Sequence, residues 1–257
     1  MILQVLGATE RTTYGQGTTS SREPDIMTYY DGIDATSNAS YFTQIISSSM
    51  TGEQFKTQLQ EEFNEMIASV EIYGGFYIGR YETGNLVSNT STEPVIIKGN
   101  ENISNVGWYY MYENSKKIAA NNNVKTTMIW GSMWDRTLIW LVETGDKTYR
   151  EIDLNSTTWG NYSNSSENAE EGSGQKRPTG YSEYWKANNI YDLAGNIRDW
   201  SLEVYDMRYH SIRGGSYDDS GYTGSASPAS VRHTYGPPYY TSEKYGLRSA
   251  LYISLDI

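Results

Sequence analysis

The sequence predicts an α+β fold that combines a few helices with many short strands and long irregular loops. Helical periodicities occur in the first part of the chain, up to about Val142. Short strand-like segments separated by Gly, Pro, Asp and Ser occupy the part after Tyr191. Helices and strands that are segregated along the chain are typical of the α+β class. A length of 257 residues is enough for one domain, or two, with a buried core.

The first helix is predicted near the start of the folded domain, which we place at residues 51–257. The preceding residues 1–50 are an N-terminal extension, because Thr9 to Arg22 is dominated by Thr, Ser and Gly. Thr51 and Gln54 match a capping box, and the helix ends near Gly74. We expect the apolar face of this helix to pack against the core rather than to bind a partner. Its apolar stripe consists of Phe55, Leu59, Phe63, Met66, Ile67 and Val70.

Two further helices and one long loop are predicted in the middle of the chain. The second helix runs from about Trp108 to Ala120, and the third begins at Ser132, where Asp135 completes a capping pattern. Before them, the alternating residues 76–82 predict a strand. Residues 155–180 are rich in Ser, Asn, Gly and Glu and predict a long loop, which is uncommon inside a domain unless it is functional. Its predicted anchors are Trp159 and Tyr162.

Composition excludes several classes of function. A net charge of −11 disfavours nucleic acid as a partner, because binding to phosphates requires clustered Lys and Arg. The absence of cysteine excludes disulfides, thiolate metal sites and a thiol nucleophile. His210 and His233 are the two histidines, too few for a His-rich metal centre. No apolar run approaches the roughly 18 residues of a membrane span, so we expect no insertion of this chain into a membrane.

Four motifs in order along the chain resemble the formylglycine-generating-enzyme family. The most specific is the string NIYDLAGNIRDW at residues 189–200; the others are residues 75–82, residues 106–109, and RGGS at 213–216 with YGLR at 245–248. The resemblance implies a C-type-lectin-like fold, in which small antiparallel sheets and two helices support long irregular loops. Physically, Gly214 and Gly215 permit positive φ or a close backbone approach.

The same resemblance bears on individual residues. It places a structural Ca²⁺ ion at Asp192, Gly195, Ile197 and Asp199, although the family usually has Glu where this chain has Asp199. A loop closed by side-chain hydrogen bonds is the alternative. We expect Arg213 and Arg248 to hold loop carbonyls or carboxylates, and Trp200 to anchor the core.

The activities of that family do not carry over to this chain. The oxidase branch uses a pair of cysteines to bind copper, and this chain has none, so formylglycine-generating activity is excluded. The iron-dependent relatives need several histidines. We therefore expect neither copper nor iron, and a non-catalytic branch of the family. The adjacent acid pairs Glu61–Glu62, Glu170–Glu171 and Asp218–Asp219 leave a carboxylate enzyme as the alternative.

The loops between Arg213 and Arg248 have the composition of a binding surface. Tyr supplies rigid contact area with a hydroxyl, while Ser, Gly and Asp supply adaptable hydrogen bonds, as in antibody paratopes. Pro237–Pro238 would stiffen the loops and lower the cost of ordering them. The alternative is that these tyrosines pack on one another and on the sheet. The candidate ligand-binding residues are Tyr217, Asp218, Asp219, Tyr222, Arg232, His233, Tyr235, Tyr239, Tyr240, Thr241, Ser242 and Tyr245.

The stretch from Gly214 to Ser242 contains no Lys, Glu, Gln, Met or Trp. Substitution of the adenines in an asparagine codon of the form AAY, where Y is T or C, cannot produce a codon for any of these five residue types. The region 213–248 thus resembles the variable region of proteins that are diversified by retroelements, which lies between an R-G-G motif and a terminal G-[FL]-R. An ordinary Tyr/Ser/Gly loop would also lack these types.

The sequence therefore predicts a non-catalytic protein that binds a macromolecular receptor, a protein or a glycan, on a host or neighbouring cell. The resemblance implies display outside the cell, on a phage tail or a bacterial surface, and a homotrimer with residues 1–50 as the display or assembly segment. Two alternatives remain open at this point. The chain could be a carbohydrate-active or other enzyme that uses carboxylates, or a structural component of a surface fibre.

Overall fold

The computed structural model describes residues 52–85, 93–119, 123–165, 173–206, 209–222, 227–233 and 240–255. The predicted extension 1–50, and with it Thr51 of the capping box, lies outside these residues. In chain order the elements are α1 (Gly52–Tyr73), β1 (Tyr77–Ile78), β2 (Gly84–Asn85), β3 (Pro94–Val95), α2 (Trp108–Ser115), β4 (Val124–Met128), α3 (Gly131–Glu143), α4 (Tyr149–Asp153), β5 (Lys186–Ala187), β6 (Ile190–Tyr191), β7 (Arg198–Asp206), β8 (Tyr209–Arg213), β9 (Arg232–His233), β10 (Tyr245–Leu247) and β11 (Ser249–Ile253).

Helix α1 confirms the first predicted helix and its core-facing stripe. Phe55, Leu59, Phe63, Met66 and Val70 are at most 3% exposed. Their three- to four-residue spacing places them on one face of the helix, which packs against β11. The rest of the core is dominated by large aromatic side chains. The fully buried tryptophans are Trp108, Trp130, Trp134, Trp185 and Trp200, which confirms the prediction for Trp200.

Two small sheets form the centre of the fold. The first has the order β1-β11-β4 and is antiparallel throughout. The second has the order β10-β7-β8-β9, and its β7-β8 and β8-β9 pairs are antiparallel. Strands β2-β3 and β5-β6 form two further antiparallel pairs. The mixed α+β class with small sheets and few helices is thus confirmed. One pair departs from the expectation, because β10 runs parallel to β7.

Several predicted boundaries need correction. The second helix ends at Ser115 rather than near Ala120. The third begins at Gly131, and Asp135 does not cap it, because that carboxylate pairs with two buried arginines. Only Tyr77–Ile78 of the predicted strand at 76–82 is paired. Helix α4 was missed, although Thr148 and Glu151 form a capping box at its start.

The RGG turn has the backbone that the sequence predicts. Gly214 and Gly215 have φ values of +83° and +76°, which L side chains rarely adopt. A Cβ atom on Gly215 would lie 2.3 Å from the carbonyl oxygen of Ser227. The positive φ of Gly214 and Gly215, and the close approach of Ser227 to Gly215, therefore require glycine at the two positions directly after β8.

The predicted anchors of the long loop are confirmed where the structure describes it. Trp159 and Tyr162 are 4% and 0% exposed. The Tyr162 hydroxyl donates to the Gly214 carbonyl at 2.8 Å, so the loop is attached to the RGG turn. None of the helices in the described ranges is long and apolar enough to span a bilayer.

His210 provides a test of the core through the pH dependence of stability. It is 2% exposed, and its ring stacks on Trp108 at a centroid distance of 3.9 Å. Burial lowers the pKa of His210 from 6.5 to about 3. In the unfolded chain His210 is protonated as the pH falls below about 6.5, whereas in the folded chain it stays neutral down to about pH 3. This residue therefore lowers the free energy of unfolding as the pH falls between those two values.

We predict that His210→Phe, which keeps an aromatic ring, removes this acid sensitivity. The free energy of unfolding of the wild type should fall relative to that of the variant by up to about 1.4 kcal/mol per pH unit below pH ~6. Urea unfolding of both proteins at several pH values between ~7 and ~4 measures the difference. A difference that stays constant over this range would contradict the prediction.

Candidate ligand-binding surface

A buried ionic quartet holds the strands beneath the predicted binding loops. The Arg213 guanidinium pairs with Asp135 and donates to Glu203 at 3.3 Å. Arg232 pairs with the same two acids, with its Nε atom 2.7 Å from the Glu203 carboxylate. All four residues are at most 4% exposed. Because two cations face two anions, the quartet is balanced in charge, and it joins α3, β7, β8 and β9. This confirms that Arg213 holds carboxylates.

A second polar cluster, centred on Arg248, lies inside the fold. Arg248 donates to the carbonyl oxygens of Gly79 at 2.9 Å and Tyr191 at 2.8 Å, and to Asp199 at 3.2 Å. Burial, together with two nearby acids, raises the pKa of Glu82 well above the usual carboxyl value. Arg248 thus joins separate loops to β7, as predicted.

The residues predicted to hold calcium are engaged in internal hydrogen bonds. One oxygen of Asp192 accepts from the Gly180 backbone N–H at 2.6 Å and from the Thr179 hydroxyl. Gly195 donates its N–H to Gly214, and the Ile197 N–H donates to Glu82. These contacts match the alternative prediction, a loop closed by hydrogen bonds.

The contacts of these residues do not decide between a calcium shell and a loop closed by hydrogen bonds. Arg248 already supplies a positive charge beside Asp199, although one oxygen of Asp192 and one of Asp199 have no hydrogen-bond partner. No group of three or more His, Asp or Glu side chains is arranged to hold a metal among the described residues. Calcium binding at Asp192, Gly195, Ile197 and Asp199 therefore stays a prediction.

Two segments of the predicted binding region meet at the surface. The Tyr217 hydroxyl donates to Glu243 at 3.1 Å, and Lys244 pairs with Asp218. We call the surface formed by Tyr217, Asp218, Tyr240, Thr241, Glu243 and Lys244 the loop face. Asp218, Thr241 and Glu243 are exposed, Tyr240 is 46% exposed, and Tyr217 and Lys244 are half-buried.

The underside of the loop face is attached to strand β7. Arg198 forms a two-pronged pair with Asp219, with one N–O distance of 3.0 Å. The Asp219 carboxylate also accepts from the Ser216 N–H and hydroxyl at 2.8 and 2.9 Å. Bidentate pairs of this kind fix geometry as well as charge. Asp219 therefore positions the loop rather than extending from it.

Three more of the predicted residues are buried or half-buried. Arg232 is 4% exposed and belongs to the quartet, and Tyr245 is 6% exposed and packs edge-on against Trp200. Ser242 is half-buried, and its carbonyl accepts from the Asn105 N–H at 2.8 Å. These side chains support the loops instead of presenting a contact area.

The remaining predicted residues lie apart from the loop face or outside the described residues. Tyr222 is 47% exposed, and its backbone forms an isolated antiparallel bridge with Asn155. The backbone of His233 pairs with Ile212 in the sheet. Tyr235 and Tyr239 lie outside the described residues.

Glu243 and Lys244 were missed by the sequence argument. They follow directly on the stretch that lacks Lys and Glu, so their position beside it was visible in the sequence. What the sequence could not show is that they reach back across 26 positions to Tyr217 and Asp218.

Comparisons with known proteins give weak structural matches. No family model matches the sequence, and no curated protein does. Among solved structures, Treponema denticola variable protein 1 matches over 74% of this chain and 67% of its own, with 15% identity and a TM-score of 0.33. A Major Tropism Determinant I1 variant matches over 71% of this chain and 52% of its own, with 12% identity and a TM-score of 0.39.

This chain therefore spans about half the length of the tropism determinant that it matches. At TM-scores under 0.5, the two matches establish neither a fold family nor a function for this chain. The resemblance to the formylglycine-generating-enzyme family gains no support from them.

The quartet predicts a large difference between two acid substitutions on helix α3. Asp135→Asn leaves Arg213 and Arg232 each without one charged partner in the interior, which should cost about 3–5 kcal/mol of unfolding free energy. Glu143→Gln, the matched control, removes an exposed partner of Arg136 and should cost less than about 1 kcal/mol. Urea unfolding measures both values. Equal losses would show that the quartet does not support the fold.

Proposed function

We propose that this protein is a non-catalytic ligand-binding protein and that the loop face contacts its ligand. The observation that carries the proposal is the pairing of Tyr217 with Glu243 and of Asp218 with Lys244. These contacts bring the turn at Tyr217 and Asp218 against Glu243 and Lys244. We assign the exposed Tyr240 and Thr241, which shortly precede Glu243, to the same surface. Tyrosine with small polar residues is the mixture that paratopes use to combine contact area with hydrogen bonding.

The loop face is also ordered before a ligand arrives. Asp219 is held by Arg198 and Ser216, and the RGG turn is held by Tyr162. Because loops that are already positioned lose less conformational entropy on binding, a larger share of the contact energy appears as affinity. The buried quartet likewise fixes the positions of the strands that carry the loops.

The finer parts of the proposal rest on the sequence. We propose a C-type-lectin-like domain whose region 213–248 is diversified by a retroelement, displayed on a phage tail or a bacterial surface. The ligand is a macromolecular receptor, and a homotrimer would add avidity by presenting several copies of the loop face. The support is the R-G-G motif, the terminal G-L-R and the absence of five residue types between them.

The carboxylate-enzyme alternative gains no specific support. Asp218 forms an ion pair with Lys244, and Asp219 forms a separate one with Arg198. Glu62 accepts from the Tyr112 hydroxyl at 2.7 Å. Neither described acid pair is thus arranged as a general acid beside a base or nucleophile. The fibre-component alternative would use the same loops against another subunit, which the oligomeric state of the variant below would reveal.

Removal of the loop-face tyrosines should weaken binding while the fold remains. We predict that Tyr217→Ala with Tyr240→Ala weakens adsorption of the labelled full chain to its host bacterium by about tenfold or more, since interface tyrosines often dominate affinity. The assay is a saturation curve on whole cells of a strain that adsorbs the wild type. The matched control is Tyr149→Ala with Tyr184→Ala, two tyrosines that are 60% and 55% exposed elsewhere.

Adsorption of the loop-face variant at the wild-type level, with unchanged circular dichroism, would remove the proposal. A change in its mass by analytical ultracentrifugation would instead favour the fibre-component alternative, because the loops would then bind another subunit. The control variant should change neither quantity.

Diversification makes a separate genetic prediction. A reverse-transcriptase gene should lie near this gene, with an imperfect copy of the codons for about residues 213–250 that differs only at adenines. We further expect independent isolates to differ at the half-buried Tyr217 and the exposed Asp218, Tyr222, Tyr240 and Thr241, and to keep the buried positions. Sequencing of the flanking DNA and of isolates checks both. Differences at other bases would leave an undiversified binding protein.

A further inference from the structure

A cavity lies where the end of α1, strand β1 and helix α3 meet. Its volume of about 430 Å³ falls within the roughly 300–1,000 Å³ of typical small-molecule pockets. None of its lining residues belongs to the loop face or to region 213–248, so the cavity is separate from the proposed receptor site. It is lined by Gly74, Gly75, Phe76, Tyr77, Ile78, Arg136, Thr137, Trp140 and Ile190.

The lining is mostly apolar; among the described residues that line the cavity, Arg136 is the one that carries a charge, and Tyr77 and Thr137 carry hydroxyls. Phe76, Ile78, Trp140 and Ile190 supply aromatic and aliphatic walls, and no carboxylate is among the lining residues. Arg136 donates through both terminal nitrogens to Glu143, at 3.0 and 2.8 Å. Its Nε atom is buried and has no hydrogen-bond partner within the described residues. Because a guanidinium carries five N–H donors, the two terminal nitrogens each retain one hydrogen that Arg136 can offer to a bound group.

Gly75 provides a second, independent indication that the cavity binds a ligand. The positive φ of +82° at Gly74 explains that glycine, since its N–H ends helix α1 by donating to Val70 at 2.9 Å. Gly75 has no positive φ, and a Cβ atom there would meet nothing within 4 Å. Neither the backbone nor packing therefore requires glycine at position 75. A side chain there would narrow the cavity that Gly75 lines.

Large apolar side chains are exposed around the same place. Tyr77, which lines the cavity, is 66% exposed. Ile72 and Tyr73, just before the glycine pair, are 65% and 45% exposed. Exposed apolar side chains beside a cavity are typical of binding sites.

We propose that this cavity binds an anionic amphiphile, with its apolar body against Phe76 and Trp140 and its anionic head accepting from Arg136. The head must be an acceptor because a guanidinium offers only hydrogen-bond donors. An anion is favoured over a neutral acceptor because hydrogen bonds from a guanidinium to an anion are about twice as strong as neutral ones. The competing Glu143 is 42% exposed, so water can solvate its carboxylate when the head of the ligand takes its place.

Two dyes with related ring systems test the proposal on the full folded chain. One is 1-anilinonaphthalene-8-sulfonate, which carries an anionic head, and the other is N-phenyl-1-naphthylamine, which lacks it. We expect saturable binding of the sulfonate dye to the wild type, measured by fluorescence titration. Gly75→Leu should abolish binding of both dyes by filling the cavity. Arg136→Gln should weaken the sulfonate dye by about tenfold or more and leave the neutral dye unchanged.

The matched control is Arg150→Gln, which removes an exposed arginine outside the cavity and should change neither affinity. Near-ultraviolet circular dichroism must match the wild type, because compact states that have lost their tertiary packing also bind such dyes. The proposal is overturned by absent saturation, by unchanged binding in Gly75→Leu, or by equal effects of Arg136→Gln on both dyes. If Gly75→Leu does not fold, the contrast between the dyes in Arg136→Gln decides.

Discussion

The buried pairing of Asp135 and Glu203 with Arg213 and Arg232 is the constraint on which the rest of the structure depends. Each of these charges would be very unfavourable in the interior alone, and only the complete set of four is balanced. The set joins a helix to three strands of one sheet. The helix, the sheet and the strand β9 that emerges from the binding region can therefore form only together.

Region 213–248 contains two kinds of residue, buried ones that support the fold and exposed ones that are available for contact. Arg232 and Tyr245 point into the protein, whereas Tyr240 and Asp218 are exposed. Interior residues of the stretch make many internal contacts, so most changes to them would cost stability. Exposed residues make few such contacts. The surface can thus change its chemistry without changing the strands that present it.

The sequence predicted the α+β class, helix α1, the anchors Trp159 and Tyr162, and the structural use of Arg213 and Arg248, because each has a local pattern. Asp135 was misassigned for the same reason. Its position near a helix start matches a capping pattern, but the energy of pairing with two distant buried cations is larger than that of a cap. Helix α4 spans five residues, too few for a periodicity to be visible.

The candidate surface was predicted only in part. Composition located the tyrosine-rich loops, but it could not distinguish Arg232, which is buried, from Asp218, which is exposed. That distinction depends on which strand each residue follows and on partners far away in the sequence. The links from Glu243 and Lys244 to the 217–218 turn are long-range contacts of the same kind.

The parallel pairing of β10 with β7 has a topological consequence. Arg213 lies opposite Asp199 on one side of β7, and Tyr245 lies opposite Arg198 on the other side. The stretch between them therefore leaves and rejoins the fold at two points separated by only two strand spacings, about 10 Å. Within the stretch, Arg232 also pairs with two buried acids, so the framework fixes this segment at its two ends and at one internal point.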